Sequence, residues 1–205
     1  MPPIQKRPAR VWPVLRAYGK AAFAYPWLLG AAVLGTIIIE AAGVTSPLYL
    51  RQFINLLSGG TPTSTVVQSL LLILATFAAI NFVGWIGRRV RMMSALRLEA
   101  NAMSNLYNST FTYLLGHAHE FFISNFTGTL TRRVSRYARV FEQVFDNILF
   151  NFLSAFLFAA GIIGVLLVRN VYLGGGLLLW TAVFVYAQFK MMQKLQPLRA
   201  ARTEE

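Results

Sequence analysis

The stretch HEFFISNFTGTLTRRVSRY, from His119 to Tyr137, decides how the rest of the chain is read. It forms the turn of the only long polar segment, Arg88 to Asp146, in an otherwise membrane-like sequence. That segment holds eight of the nineteen basic residues and lies between two apolar runs. It is too long for a simple loop and too short for a comfortable separate domain. Before the turn, Met93, Leu96, Ala100, Met103, Tyr107, Thr110 and Leu114 recur at spacings of three and four. After it, Leu130, Val134, Tyr137, Phe141, Val144 and Ile148 do the same. Such stripes predict two helices, each running on into a membrane span without a breaker. Helices of about 29 residues would project roughly 40 Å from the membrane at 1.5 Å per residue. Ser124, Asn125, Thr127 and Gly128 mark the tip, with Thr127 a candidate N-cap for the returning helix.

Outward from this segment the sequence becomes apolar. Of the 205 residues 56% are hydrophobic and only 13% charged, against about 25% charged in ordinary soluble domains, so an integral membrane protein is expected. Four spans are predicted, at about 26–50, 65–87, 147–168 and 171–189. A Gly/Pro/Ser/Thr turn around SGGTPTST separates the first two, and only Arg169 and Asn170 separate the last two. One unbroken helix from 147 to 189 would measure roughly 65 Å, twice the bilayer core, so a tight helical hairpin is expected there. Pro26 suits a first helical turn, and Pro47 should kink the outer end of the first span. Residues 1–25 read as a basic tail followed by a short amphipathic helix. Val11, Leu15, Tyr18 and Ala22 share one face, and Trp12 is an interfacial residue. A secretory signal would require a small-residue cleavage site after this run, and no convincing one follows. The fold class is therefore all-α: a polytopic membrane helix bundle with long cytoplasmic helix extensions, the hairpin 88–146.

The basic residues orient it. Five precede the first span, eight lie between spans two and three, and four follow span four, whereas the other connectors hold only Arg51 and Arg169. By the positive-inside rule both termini and the polar hairpin are cytoplasmic, at a plasma (inner) membrane. The formal charge of +12 is then a topology signal, and no nucleic-acid partner is expected. The absence of cysteine excludes disulfides, thiolate catalysis and Cys-based metal sites, and His117 and His119 are too few for a metal cage. The only Gly-Lys pair, Gly19-Lys20, lacks the surroundings of a phosphate loop, and no catalytic constellation is visible.

Two places stand out as candidate sites. At the tip, Phe121, Phe122 and Phe126 sit among polar residues, either as a docking knob for a soluble partner or as local packing of the turn. Glu40 interrupts the first span, where a charge costs about 2.5–3.5 kcal/mol. It is either a cavity-facing substrate or proton site, or a neutral acid hydrogen-bonded between helices. Asn81 in the second span is a weaker cavity candidate and reads more naturally as a helix–helix hydrogen-bonding residue.

Phe121-Phe122, Thr127-Gly128, Leu130 and Arg133 together resemble the first intracellular loop of type I ABC exporters. Pro47-Leu-Tyr-Leu-Arg-Gln-Phe-Ile54-Asn55 is similar to the outer end of that family's first helix, and QPLRAARTEE to the extension after its fourth. The likeness covers the chain from the amphipathic helix onward. It departs at Thr129, where the family usually has an acid, at Arg136-Tyr137 in place of Asn-Asp, and at Asn55 in place of Asp. The resemblance implies that residues 26–205 are part of an exporter transmembrane domain, the first four of six helices. It implies a coupling element at His119, Glu120, Phe121, Phe122, Ile123, Ser124, Asn125, Phe126 and Thr127. It further implies a nucleotide-binding domain, in cis if the chain is a fragment and otherwise in trans, and a second exporter half as homo- or heterodimer. ATP and Mg would belong to that nucleotide-binding domain; the chain itself should bind no cofactor and hydrolyse no ATP. The final helix shows no stop signal, so a fragment of a longer gene is expected. The alternative is an ATP-independent membrane scaffold that uses the hairpin to hold a cytoplasmic partner.

Overall fold

In a computed structural model of the protein, the described residues are 11–59, 63–116 and 127–202; they form helices joined by short turns. They divide into two compact units, 1–155 and 156–205. Unit 1 opens with helix α1 (Val11–Phe23), followed by α2 (Pro26–Ser58) and α3 (Ser64–Leu115). Next comes α4 (Thr127–Asp146), which continues through a π-helical segment (Asn147–Leu153) into α5 (Ser154–Arg169). The last helix is α6 (Val171–Arg202). Four of these stretches are long and apolar enough to cross a membrane: Pro26–Ser58, Ser64–Leu115, Arg132–Arg169 and Val171–Gln193. The all-α membrane architecture and the number of spans thus agree with the sequence.

Pro26 occupies the first turn of α2, where its missing N–H costs nothing. α2 runs on beyond Leu50. It passes through Pro47 and ends at Ser58, an arrangement apolar surroundings tolerate when neighbouring groups satisfy the freed carbonyl. The 52 residues of α3 form one helix, roughly 78 Å long at 1.5 Å per residue, so the second span and its polar extension are a single rod.

α2 and α3 are held together by small residues. A methyl group added at Gly35 would lie 2.8 Å from the backbone N of Arg91 and from the backbone O of Gly87. At Gly87 it would meet Ile38 Cγ2 at 2.8 Å, and at Gly84 the Ala42 side chain at 3.0 Å. Such close backbone approach is how membrane helices gain packing contact when burial from water is not available as a driving force. Further out, Asn81 donates to Ser46 Oγ at 3.1 Å across the same seam.

Below the seam the packing changes character. Tyr18, Ala21, Ala32, Ala95, Leu98, Ala102, Leu106, Phe141, Phe145 and Leu149 form one buried cluster where α1, the start of α2, α3 and α4 meet. We call this region the neck. Its stripe on α3 is not the expected one. Met93 and Leu96 are more than half exposed, and the buried face is Ala95, Leu98, Ala102 and Leu106, with Glu99 among them. The two sets differ by about one to two residues of rotation, and small Ala permits the close approach that the larger Met stripe does not. On α4 the expectation holds at Val134 and Phe141, but Ala138, Phe145 and Leu149 complete the face while Ile148 is exposed.

α1 packs against the neck through Tyr18 and Ala21. Tyr18 is buried, donates from its hydroxyl to the Tyr137 carbonyl at 2.8 Å, and packs against the rings of Tyr137 and Phe141. Burial, and secondarily Tyr137, pushes the Tyr18 phenol above its ordinary value and keeps it a neutral donor. Trp12 and Phe23 remain exposed on the other side, and Leu15 is exposed as well. The helix therefore clamps the neck with one edge and keeps an apolar edge free.

In unit 2 the turn at Asn170 is sharp, as the sequence suggested. Its side-chain oxygen accepts from the N–H groups of Tyr172 and Leu173 at 3.0 and 3.2 Å, a cap for α6. A methyl group at Gly174 would be 2.6 Å from the backbone N of Leu167, so only glycine fits against the end of α5. Among residues 171–193, Gly174 alone is buried.

Candidate functional site

The seam sets the level of Glu40. Glu40 lies mid-way along the predicted first span. Gly35 packs against Gly87 and Ala42 against Gly84, so Glu40 sits beside the end of the second apolar run that leads to Arg88. Ser154 Oγ donates a hydrogen bond to Glu40 Oε1, tying α2 to the first residue of α5. Arg91, one turn below the seam, feels the charge of Glu40. Its guanidinium lies 4.9 Å from the centre of the Phe150 ring, a cation–π contact, and its buried Nε has no hydrogen-bond partner. Three helical segments thus meet around one acid and one base. Nothing in the spacing of the sequence pairs Glu40 with Ser154 or Arg91; only the register of the seam does so.

Glu40 and Asn81 line one hollow of about 410 Å³, together with Ser46, Pro47, Gly84 and Arg88. Asn81 spends its amide on Ser46 and on the Phe77 carbonyl at 2.8 Å, so it bridges helices as well as bordering the hollow. The hollow offers an acid, an amide, a hydroxyl and a guanidinium in a setting otherwise apolar. That chemistry suits a polar group of a guest held between helices.

The neck contains a second acid that sequence reasoning missed. Glu99 is 7% exposed, and its Oε1 has no hydrogen-bond partner. Burial pushes its carboxyl up to about 8, helped by a hydrogen bond with Asp146 and by the negative charges of Asp146 and Glu142. At neutral pH it is therefore a protonated acid between α3 and α4. The signal that could have found it is positional: Glu99 lies one residue after Leu98, on the face defined by Ala95, Leu98 and Ala102.

The proposed coupling residues His119, Glu120, Phe121, Phe122, Ile123, Ser124, Asn125 and Phe126 lie outside the described residues, and Thr127 is the first residue of α4. Two continuous helices lead to them, α3 ending at Leu115 and α4 beginning at Thr127. Among the described residues no group of acids and histidines could hold a metal ion.

The family described as ABC transporter transmembrane region matches residues 29–205, nearly the whole chain and all four apolar stretches. The chain belongs to that family. No match is found among curated proteins. As the membrane part of an ABC transporter, it is an integral membrane protein, and the long helices α3 and α4 are part of a transport domain.

Proposed function

We propose that this chain is the membrane-spanning part of an ATP-driven exporter, coupling a substrate pathway to a nucleotide-binding domain through residues 119–127. The observation that carries the reading is the continuity of α3: 52 residues without a break join the second span to the tip. A rod of this kind converts a push at its cytoplasmic end into a tilt of the span. The nucleotide-binding domain supplies ATP and Mg, and closes on them. It lies in cis if the chain continues and otherwise in trans, and a second half, identical or different, completes the pathway. Closure shifts the bundle between inward-open and outward-open states to the extent that nucleotide binds one state better. Both termini and the tip lie in the cytoplasm, at the plasma (inner) membrane. The chain alone hydrolyses no ATP.

The test is the ratio of transport to hydrolysis in the assembled transporter. Phe122→Ala should leave ATP hydrolysis and expression largely intact while transport falls about tenfold, as expected for loss of an aromatic anchor worth about 1.4 kcal/mol or more. An unchanged ratio overturns the coupling role. A cysteine at Ser124, unique in a chain without cysteine, should react with an impermeant thiol reagent only from the cytoplasmic side. Reaction from outside overturns the orientation.

A further inference from the structure

One face of α4 is polar along its whole described length, and the polarity does not stop at the membrane. Arg132, Arg136, Arg139, Gln143, Asn147 and Asn151 are all exposed and follow one another at steps of four, three, four, four and four. At 3.6 residues per turn a step of four overshoots by about 40° and a step of three undershoots by about 60°, so the first five stay on one side of the helix. A further α-helical step would carry Asn151 off that side. The chain is π-helical from Asn147 to Leu153, however, and its wider turn makes a step of four fall short instead. The π segment thus brings Asn151 back into line. Hydrogen bonds follow the track: Asn147 Nδ2 donates to the Gln143 carbonyl, and Asn151 Nδ2 to Asn147 Oδ1, both at 2.8 Å.

The lower part of the track borders a groove of about 480 Å³, lined by Arg132, Ser135, Arg136, Arg139, Val140 and Gln143. Arginines that only fix topology need no common face, and Arg133 on the same helix lies off it. Beyond those two bonds each amide keeps a second N–H, which in a membrane span faces water or a polar guest, since lipid offers it no partner. Guanidinium groups present the fork that matches phosphate and carboxylate oxygens. Beside the upper amides, Ile148 and Phe152 are 57% and 73% exposed, an apolar flank for a tail. An acidic protein segment could match the arginines but could not follow the track into the membrane.

We infer that this face is an entry path for an amphipathic anion, whose phosphate or carboxylate headgroup is handed from Arg132 through Arg136 and Arg139 to the Asn147–Asn151 amides while its tail enters the bilayer. The inference names the substrate class for the exporter reading and rests on it only for what happens to the ligand afterwards; the binding itself needs no nucleotide.

The chain in phosphatidylcholine nanodiscs, without nucleotide, would be photolabelled with a twelve-carbon alkyl phosphate and with an alkyl trimethylammonium bearing the same photoreactive group. The alkyl phosphate should label residues 132–152 saturably, and the cation should not. The double variant Arg136→Gln/Arg139→Gln should need at least tenfold more probe, while Arg133→Gln should match the parent. Phosphatidic acid should protect far better than inorganic phosphate. Equal labelling by both probes, or an unaffected double variant, overturns the site. Equal protection by inorganic phosphate makes it a free-anion site, and protection by polyglutamate a protein contact; either overturns the amphiphile. Failure of the Phe122 test would not change these readings, since no ATP-dependent step is measured.

Discussion

The neck and the α2–α3 seam belong to the same helices but are held together by opposite means. In the neck, large side chains such as Phe141, Phe145, Leu98 and Tyr18 are buried. In the seam, the contacts are made by residues with almost no side chain, Gly35, Gly84 and Gly87, with Ala42 and Ser46 opposite. The neck falls mostly in the polar segment 88–146, where removing apolar surface from water stabilises by about 25 cal/mol per Å². Along the spans the surroundings are as apolar as the side chains, so Leu71, Leu72 and Phe82 stay outward and gain nothing by turning in. Close backbone approach and a few hydrogen bonds are what remain. One rod, α3, crosses from one regime to the other within about two turns.

If that contrast is right, truncation should be severe in the neck and mild in the span. Phe141 is 2% exposed, and Phe141→Ala should cost about 3–5 kcal/mol through lost contacts and a residual cavity. Leu72→Ala, at a side chain 70% exposed toward lipid, should cost well under 1 kcal/mol. Denaturant or thermal unfolding in one detergent would compare them. Equal losses would mean that the neck is no true core.

Enlarging a residue should show the reverse asymmetry. Gly35→Ala would place its methyl 2.8 Å from backbone atoms of Gly87 and Arg91, which cannot step aside as a side chain can. Overpacking of this kind costs about 1–3 kcal/mol. It should also separate α2 from α3, loosening the Asn81–Ser46 contact, which cysteines at those two positions would report as slower crosslinking. Gly175→Ala, with open space around it, should be silent. A Gly35→Ala variant as stable as the parent would show that the seam gives easily.

These two regimes also explain what could be read in the sequence. Runs of apolar residues, the lone Arg169-Asn170 break and the basic-residue bias announce spans and turns through composition alone, and the element order follows. Which face of a helix is buried does not follow so directly. On α3 the three-and-four spacing marks the Met93–Leu96 stripe, while the packing uses Ala95, Leu98 and Ala102 to bring α4 close. The glycine seam has no hydrophobic period at all, so its register, and with it the pairing of Glu40 with Ser154, stayed hidden. Even so, Gly84 and Gly87 at a spacing of three, with Gly35 and Ala42 in the partner span, are a visible pattern of small residues. The π segment carries no propensity signal that distinguishes it from an ordinary helix.

A pH-dependent effect should come from Glu99, the buried acid of the neck. Glu99 titrates at about 8 in the folded protein, raised from 4.5 by burial and by the neighbouring Asp146 and Glu142 on α4. Once α3 and α4 separate, it returns toward its ordinary value. Below about pH 4.5 both states hold the proton, so Glu99 imposes no penalty. Between there and about pH 8 the separated state gives up its proton and the packed state does not, so packing weakens as pH rises, and above about 8 the penalty is complete. Glu99→Gln, uncharged in both states and nearly the same shape, removes that slope while retaining a polar group beside Asp146. The variant and the parent should therefore have similar stability at acidic pH, and the variant should be the more stable at pH 9. Hydrogen exchange of the α4 amides across that pH range would measure the opening of the neck directly. A parent protein whose neck opens no more readily at pH 9 than at pH 5, relative to Glu99→Gln, would mean that Glu99 is not held protonated between the helices.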